Sequence, residues 1–158
     1  MPKKSAGVLL YRERAGHVEV LLVHPGGPFW AKKDEGAWSI PKGEFGDGED
    51  PALAARRKFA EEAGLALGGE MIPLEPVRQP GGKVVYAWAM KRDWDPTRLK
   101  SNRFSTEWPP SSGRQQEFPE VDRAAWLTLR EARRKILKGQ TSLLDQLHAK
   151  LKRMGYHE

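Results

Sequence analysis

The residues best suited to chemistry lie in residues 43–65, where a glycine-rich loop runs into a helix-forming segment. Two adjacent carboxylates, Glu61 and Glu62, follow one helical turn after the basic pair Arg57 and Lys58. Mg²⁺ binds oxygen ligands, commonly one or two carboxylates together with the phosphates of a substrate. The spacing therefore suits a metal ion that holds a chain of phosphates.

The helix that carries these side chains has clear boundaries in the sequence. Asp50 is a suitable N-cap, and Pro51 at the first helical position gives up an N–H that the helix does not need. Gly64 accepts the left-handed conformation that ends a helix. The predicted helix has an ordinary length of about 13 residues. At 100° per residue its charged side chains share an arc of about 140°, opposite the apolar ones.

A charged face of this kind also fits an ordinary solvated helix. In that interpretation Arg57 pairs with Glu61, and Lys58 pairs with Glu62, each four residues apart. Two neighbouring glutamates do not by themselves distinguish a metal site from such ion pairs. The fixed spacing back to Glu49 in the preceding loop favours the metal site.

This stretch resembles the signature of the Nudix hydrolases, G-x5-E-x7-R-E-U-x-E-E-x-G-U, in which U is a bulky apolar residue. Eight positions match in register: Gly43, Glu49, Arg57, Phe59, Glu61, Glu62, Gly64 and Leu65. At the remaining fixed position Lys58 stands where the family has glutamate. Further segments, including SAGVLLYR, VRQPGGKVVYAWA and RQQEFPEVDRAAW, resemble a bacterial subgroup of Nudix pyrophosphohydrolases. The resemblance covers nearly all of the chain.

The resemblance implies hydrolysis of a nucleoside diphosphate linked to another moiety, by attack of water at phosphorus with Mg²⁺ or Mn²⁺. The implied metal ligands are Gly43 through its carbonyl, Glu61, Glu62 and a carboxylate from a later loop. Glu117 is preferred over Glu120 for this last ligand, because Glu117 ends the long loop before the strand AAWL.

The remaining roles also follow from the resemblance. The implied catalytic residues are Glu61, Glu117 and Arg57. Arg57 is expected to pair with Glu49 and hold the loop against the helix, while Glu49 and Gly64 serve as structural residues of the signature.

Lys58 changes what this site is expected to do. A protonated lysine cannot coordinate Mg²⁺, and replacing glutamate with lysine changes the local charge by two units, so metal affinity should fall. In one outcome Lys58 turns to solvent and leaves a reduced site of Glu61, Glu62 and Glu117. In the other it pairs with Glu62 and binds substrate phosphate directly, giving a nucleotide-binding or regulatory module with weakened hydrolysis.

Composition limits the classes of function. The 158 residues fit a single domain over residues 1–158, and the absence of cysteine excludes disulfides and thiolate metal sites. The sequence has neither a membrane-length apolar run nor a signal-peptide pattern, so a soluble cytoplasmic protein is expected. The formal net charge of +6 favours anionic partners. A small-molecule nucleotide is the preferred partner, nucleic acid has weaker support, and a generally basic surface is equally compatible.

The substrate is indicated only by basic and aromatic residues. Lys42, Lys83 and Arg114 are the candidates for phosphate binding. The candidate stacking surfaces for a base are Trp30, Trp88, Trp94 and Trp108, although each tryptophan is more often a core residue. A basic site favours dinucleoside polyphosphates or nucleoside triphosphates over nucleotide sugars. RNA 5′-triphosphate ends are an alternative substrate.

Hydrophobic periodicity gives the remaining elements. Strands are predicted at 5–11, 18–24, 38–40, 70–79, 83–92 and 124–128, with helices at 130–138 and 142–153. Residues 93–118 are predicted to form a long functional loop. The leucine stripe of the last helix is expected to pack in the core. These elements predict an α/β fold with a mixed sheet covered on both faces, in agreement with the α/β/α sandwich that the resemblance implies.

Overall fold

The computed structural model describes residues 3–155. The strands are β1 Lys4–Arg14, β2 His17–Pro25, β3 Lys42–Glu44, β4 Ile72–Pro73, β5 Val77–Arg78, β6 Val84–Lys91, β7 Arg103–Glu107, β8 Gln115–Pro119 and β9 Val121–Thr128. The α-helices are α1 Pro51–Ala63, α2 Leu129–Lys135 and α3 Thr141–Arg153.

The main sheet is mixed, as predicted. Its strand order is β4-β6-β1-β2-β9, with β3 also paired to β1 and β5 to β6. The β1–β6 pair is parallel, whereas β1–β2 and β2–β9 are antiparallel. Strands β7 and β8 form a separate two-stranded hairpin.

Strand β1 divides the core into two layers, because successive side chains of a strand point to opposite faces. Val8 and Leu10 belong to the apolar cluster that includes Phe59 of α1. Leu9, which lies between them, belongs to the cluster that includes Leu147 of α3. The sheet is therefore covered on both faces, and the predicted α/β/α sandwich is confirmed.

The leucine stripe of α3 packs in the core, as predicted. Leu143, Leu144, Leu147 and Leu151 are all buried. No helix within residues 3–155 is both long and apolar enough to cross a membrane.

Helix α1 begins and ends where the sequence predicts. The Asp50 carboxylate accepts a hydrogen bond of 3.1 Å from the Leu53 N–H, and Gly64 ends the helix in the left-handed region at φ 82°. Arg56, which falls among the apolar residues of α1, donates through its guanidinium to the carbonyl oxygens of Leu67 and Gly69. It therefore fastens the segment that follows the helix.

Four sequence predictions differ from the structure, three of them in the extent of an element. Residues 38–40 form two isolated bridges, from Ser39 to Val23 and from Trp38 to Ile136, instead of a strand. The region 70–79 contains only the two short strands β4 and β5, and the second helix ends at Lys135.

The loop predicted for 93–118 is wrong over much of its length. It contains the 3₁₀ turn Pro96–Arg98, strand β7 and most of β8. The hairpin is polar and has no buried residue, so it shows only weakly the alternation of apolar and polar residues on which strand prediction depends.

Candidate functional site

Strand β3, which leads into the glycine-rich loop, contacts α1 at Gly43. This residue lies in β3, opposite Ala6 of β1. A Cβ atom added to Gly43 would lie only 2.5 Å from Cδ of Lys58, so a larger residue at position 43 would displace the Lys58 side chain from its place across β3. Strand β3 and the charged face of α1 are therefore in direct contact.

Arg57 holds the loop to the helix. Its Nη2 lies 2.7 Å from Oε2 of Glu49, and its Nη1 lies 3.0 Å from Oε1 of Glu61. The hydrogen bond from Arg57, together with the Gly46 N–H, lowers the pKa of the Glu49 carboxyl. A planar guanidinium with several donors can bridge two carboxylates in this way.

Lys58 adopts neither of the two arrangements considered from the sequence. Its side chain is 22% exposed, and its Nζ lies 3.4 Å from Oε2 of Glu61. Since Arg57 contacts the other oxygen of Glu61, this carboxylate is bound by a cation on each side.

Glu62 faces a different environment from its neighbour Glu61. Its Oε1 accepts a hydrogen bond of 3.2 Å from the Lys42 N–H. Glu62, Lys42 and Glu120 line one cavity of about 200 Å³. Burial raises the pKa of Glu62 to about 8, and the negative charge of Glu120 adds to this effect while Lys42 opposes it. Burial, followed by the charge of Lys83, lowers the pKa of Lys42.

This acidic pair fits a divalent cation. Glu62 and Glu120 place two carboxyl groups on a cavity whose lining contains one ammonium group, that of Lys42. Within residues 3–155, however, no group of three or more His, Asp or Glu side chains is arranged to hold a metal ion. A divalent ion held here would have Glu62 and Glu120 as its carboxylate ligands, with water and substrate phosphates completing the coordination.

Glu117 and Glu120 lie in different places, although the sequence puts them on one loop. Glu117 is an exposed residue of β8, paired in register with Ser105. Glu120 follows the hairpin, where its carbonyl accepts from the Gly26 N–H and its own N–H donates to the Asn102 carbonyl. The structure places Glu120 in the same cavity as Glu62. The sequence does not show this proximity, because it depends on where β8 ends.

The other candidate phosphate-binding residues are spread over the molecule. Lys83 Nζ lies 3.5 Å from Oε2 of Glu44, close to the loop, and its charge acts on Lys42. Arg114 is exposed at the turn of the hairpin, with its N–H donating to Oγ of Ser112. Of the three candidates, only Lys42 lines the acidic cavity.

The four candidate tryptophans have different surroundings. Trp30 lines the acidic cavity, with Lys33 Nζ 5.1 Å from its ring centre. Trp108 packs on Phe29 at the hairpin, with ring centres 5.7 Å apart. Trp88 and Trp94 pack against the core cluster of α1. Trp30 is thus the tryptophan beside the acidic pair.

A model of the NUDIX domain matches residues 1–147 of this chain. The chain belongs to the NUDIX family. The family predicted from the sequence is thus confirmed, and residues 43–65 are its Nudix box.

Named relatives agree with this family. The chain is 38% identical over 65 residues to a bis(5′-nucleosyl)-tetraphosphatase (asymmetrical) of Caenorhabditis elegans, covering 41% of this chain and 43% of the relative. It is 31% identical over 99 residues to an 8-oxo-(d)GTP phosphatase of Mycolicibacterium smegmatis, covering 56% of this chain and 29% of the relative. The alignments therefore span less than half of either curated relative.

Solved structures share the fold over nearly the whole chain. An Ap4A hydrolase of C. elegans, solved as a binary complex, has a TM-score of 0.62 at 27% identity and covers 95% of this chain and 98% of its own. The NUDIX domain of Shewanella oneidensis NrtR, solved with ADP ribose, has a TM-score of 0.63 at 18% identity, covering 96% and 89%. The second similarity concerns the fold alone.

Proposed function

We propose that this Nudix protein hydrolyses a phosphoric anhydride bond in a nucleoside diphosphate linked to another moiety. The observation that carries the proposal is the pairing of Glu62 with Glu120 in a cavity that also contains Lys42, at the end of the Nudix box helix. Carboxylates and a cation at one cavity suit the recognition of a metal-bound polyphosphate. The hydrolase names of the relatives support the same reaction class.

The proposed metal ion is Mg²⁺ or Mn²⁺. Glu62 and Glu120 would hold it. The resemblance also predicts Gly43, Glu61 and Glu117 as ligands, but Glu117 lies on the exposed hairpin and does not line the cavity. When bound, such an ion polarises a phosphoryl oxygen and lowers the pKa of a coordinated water. Arg57 acts as a positioning residue, since it fixes the loop through Glu49 and fixes Glu61 on the helix.

Dinucleoside polyphosphates or nucleoside triphosphates are the favoured substrates. Lys42 places a positive charge in the acidic cavity, and Lys83 lies close enough to influence it. Trp30 lines the same cavity and offers an aromatic surface to a base. The match to an asymmetrical bis(5′-nucleosyl)-tetraphosphatase supports the dinucleoside class.

A panel of substrates tests this function. Nucleotide and phosphate release would be followed with diadenosine polyphosphates and nucleoside triphosphates, in Mg²⁺ and in Mn²⁺. We expect turnover of at least one substrate, its loss in EDTA and its recovery when the metal is restored. Turnover that is equally fast in EDTA would contradict the role of the metal.

A second candidate is a nucleotide-binding or regulatory module with weakened hydrolysis. It is favoured by the contact of Lys58 with Glu61, which engages one of the box carboxylates with an ammonium group. In that case nucleotides bind in EDTA, and no substrate of the panel is turned over with either metal.

A further inference from the structure

Lys58 lies inside the site. Its ammonium group places a positive charge there, where a glutamate at the same position would place a negative one. We propose that the positive side chain of Lys58 takes the place of a metal ion in the site. It neutralises Glu61 and donates to a substrate phosphate, so that the chain binds one divalent ion where a glutamate at position 58 would give two. This inference rests on the proposed function, because it concerns the same phosphate chain.

The first support is the charge balance of the network around Lys58. Arg57 contacts Glu49 and Glu61, and Lys58 contacts Glu61. The two carboxylates and two cations of this network sum to zero. Nothing in this group of four requires a divalent ion for its compensation.

The second support is the contrast with the neighbouring cavity. There Glu62 and Glu120 face Lys42 alone among the cations that line the cavity, and the charge of Lys58 reaches Glu62 from outside that lining. With both carboxyls ionised, two negative charges face one ammonium group, and an added cation would compensate the excess. The network around Lys58 thus contains its own cations. The neighbouring cavity contains instead a pair of carboxylates for a single metal ion.

The third support is the position of the ammonium group. The aliphatic part of Lys58 lies across Gly43, which limits the conformations available to the side chain. An ammonium group has three donors, and Nζ of Lys58 forms an ion pair with Oε2 of Glu61 at 3.4 Å. With 22% of its surface exposed, the Lys58 side chain is open to a phosphate oxygen, which accepts strongly from a charged donor.

The proposal is tested by ligand binding, without turnover. Mn²⁺ binding to the full chain would be followed by electron paramagnetic resonance. The affinity for β,γ-methylene ATP would be measured by calorimetry in EDTA. The variants are Lys58→Glu and Lys58→Met, which keeps the aliphatic stem and removes the charge. Lys152→Glu on the exposed end of α3 is a control for net charge.

We expect about one Mn²⁺ per native chain and about two per Lys58→Glu chain, because the substitution makes the balanced network negative by two units. In EDTA, Lys58→Met should bind the analogue about tenfold more weakly, as expected for the loss of one charged hydrogen bond. Lys152→Glu should match the native chain in both measurements.

Three results would overturn the proposal. Two tight Mn²⁺ ions on the native chain would show that Lys58 does not replace an ion, while leaving the proposed hydrolysis intact. If Lys58→Met binds the analogue with unchanged affinity and has the circular dichroism of the native chain, the proposed contact between Lys58 and a phosphate is contradicted. A native chain that binds neither Mn²⁺ nor the analogue would contradict the proposed function as well.

Discussion

Nζ of Lys58 lies 3.4 Å from Oε2 of Glu61, while Arg57 contacts the other oxygen of the same carboxylate. Glu61 and Glu62 are adjacent in sequence and yet differ in their partners, because Glu62 points to Lys42 and the cavity shared with Glu120. This division of the two glutamates underlies the predictions that follow.

The carboxylates of the cavity should matter more than the carboxylate of the hairpin. Glu62→Gln and Glu120→Gln should each lower kcat/KM by about 100-fold, because each removes a negative oxygen from the proposed metal site. Glu117→Gln on exposed β8 is the matched control and should stay within about twofold. Steady-state kinetics with Mg²⁺ measures all three. A large loss of kcat/KM in Glu117→Gln alone would instead favour Glu117, the metal ligand preferred from the sequence.

Arg57→Lys should weaken the attachment of the loop. Lysine keeps the charge but loses the planar fork that contacts Glu49 and Glu61 together. Since the Arg57 side chain is 44% exposed, the free energy of unfolding should fall by no more than about 1 kcal/mol. The activity should fall by about tenfold or more, since Arg57 positions both the loop and Glu61. Chemical denaturation and kinetics on the same preparation separate the two effects; equal activity would exclude the positioning role.

The metal-free protein should lose stability as the pH rises. The pKa of Glu62 is raised in the folded state from an ordinary 4.5 to about 8, so the folded state binds this proton more tightly than the unfolded state. The contribution is full below pH 4.5 and is lost as the pH rises through about 8.

Thermal unfolding in EDTA, at several pH values between 5 and 9, measures this loss. The Glu62→Gln variant is the control, and its curve should be flatter over the same range. Mg²⁺ at the upper end should raise the melting temperature of the native chain, because an ion that binds the folded state stabilises it. Equal pH dependence of the two proteins would contradict the assignment to Glu62.

Helix α1 carries a buried and an exposed apolar residue whose contributions to stability can be compared. Phe59 is fully buried against the sheet, whereas Leu53 on the same helix is 66% exposed. Phe59→Ala should lower the free energy of unfolding by about 3–5 kcal/mol through lost burial and the resulting cavity. Leu53→Ala should change it by about 0.5 kcal/mol or less. Urea denaturation gives both values, and similar losses in the two variants would contradict the packing of α1 described above.

The sequence predicts what local rules determine. Asp50 and Gly64 mark the ends of α1 because capping and left-handed backbone conformations depend on neighbouring residues. The family and its box were predicted for a similar reason, since fixed spacing within one loop and one helix is visible in sequence. The leucines of α3 were assigned to the core from helical periodicity alone.

Long-range relationships were not visible in this way. Glu120 reaches Glu62 because the hairpin β7–β8 returns the chain to the sheet, and that hairpin carries little hydrophobic alternation. The direction of Lys58 depends on the space above Gly43, which exists only after β3 pairs with β1. Both features depend on tertiary packing, which no window of sequence contains.

The most direct test of the central claim compares the native chain, Lys58→Glu and Glu62→Gln on diadenosine tetraphosphate and nucleoside triphosphates, with Mg²⁺ and Mn²⁺. The account predicts that the native chain turns over at least one of these substrates, that Glu62→Gln loses this activity, and that Lys58→Glu alters its metal requirement. If only Lys58→Glu is active, the native chain is a binding module whose lysine has disabled hydrolysis, and the proposed enzymatic function is contradicted.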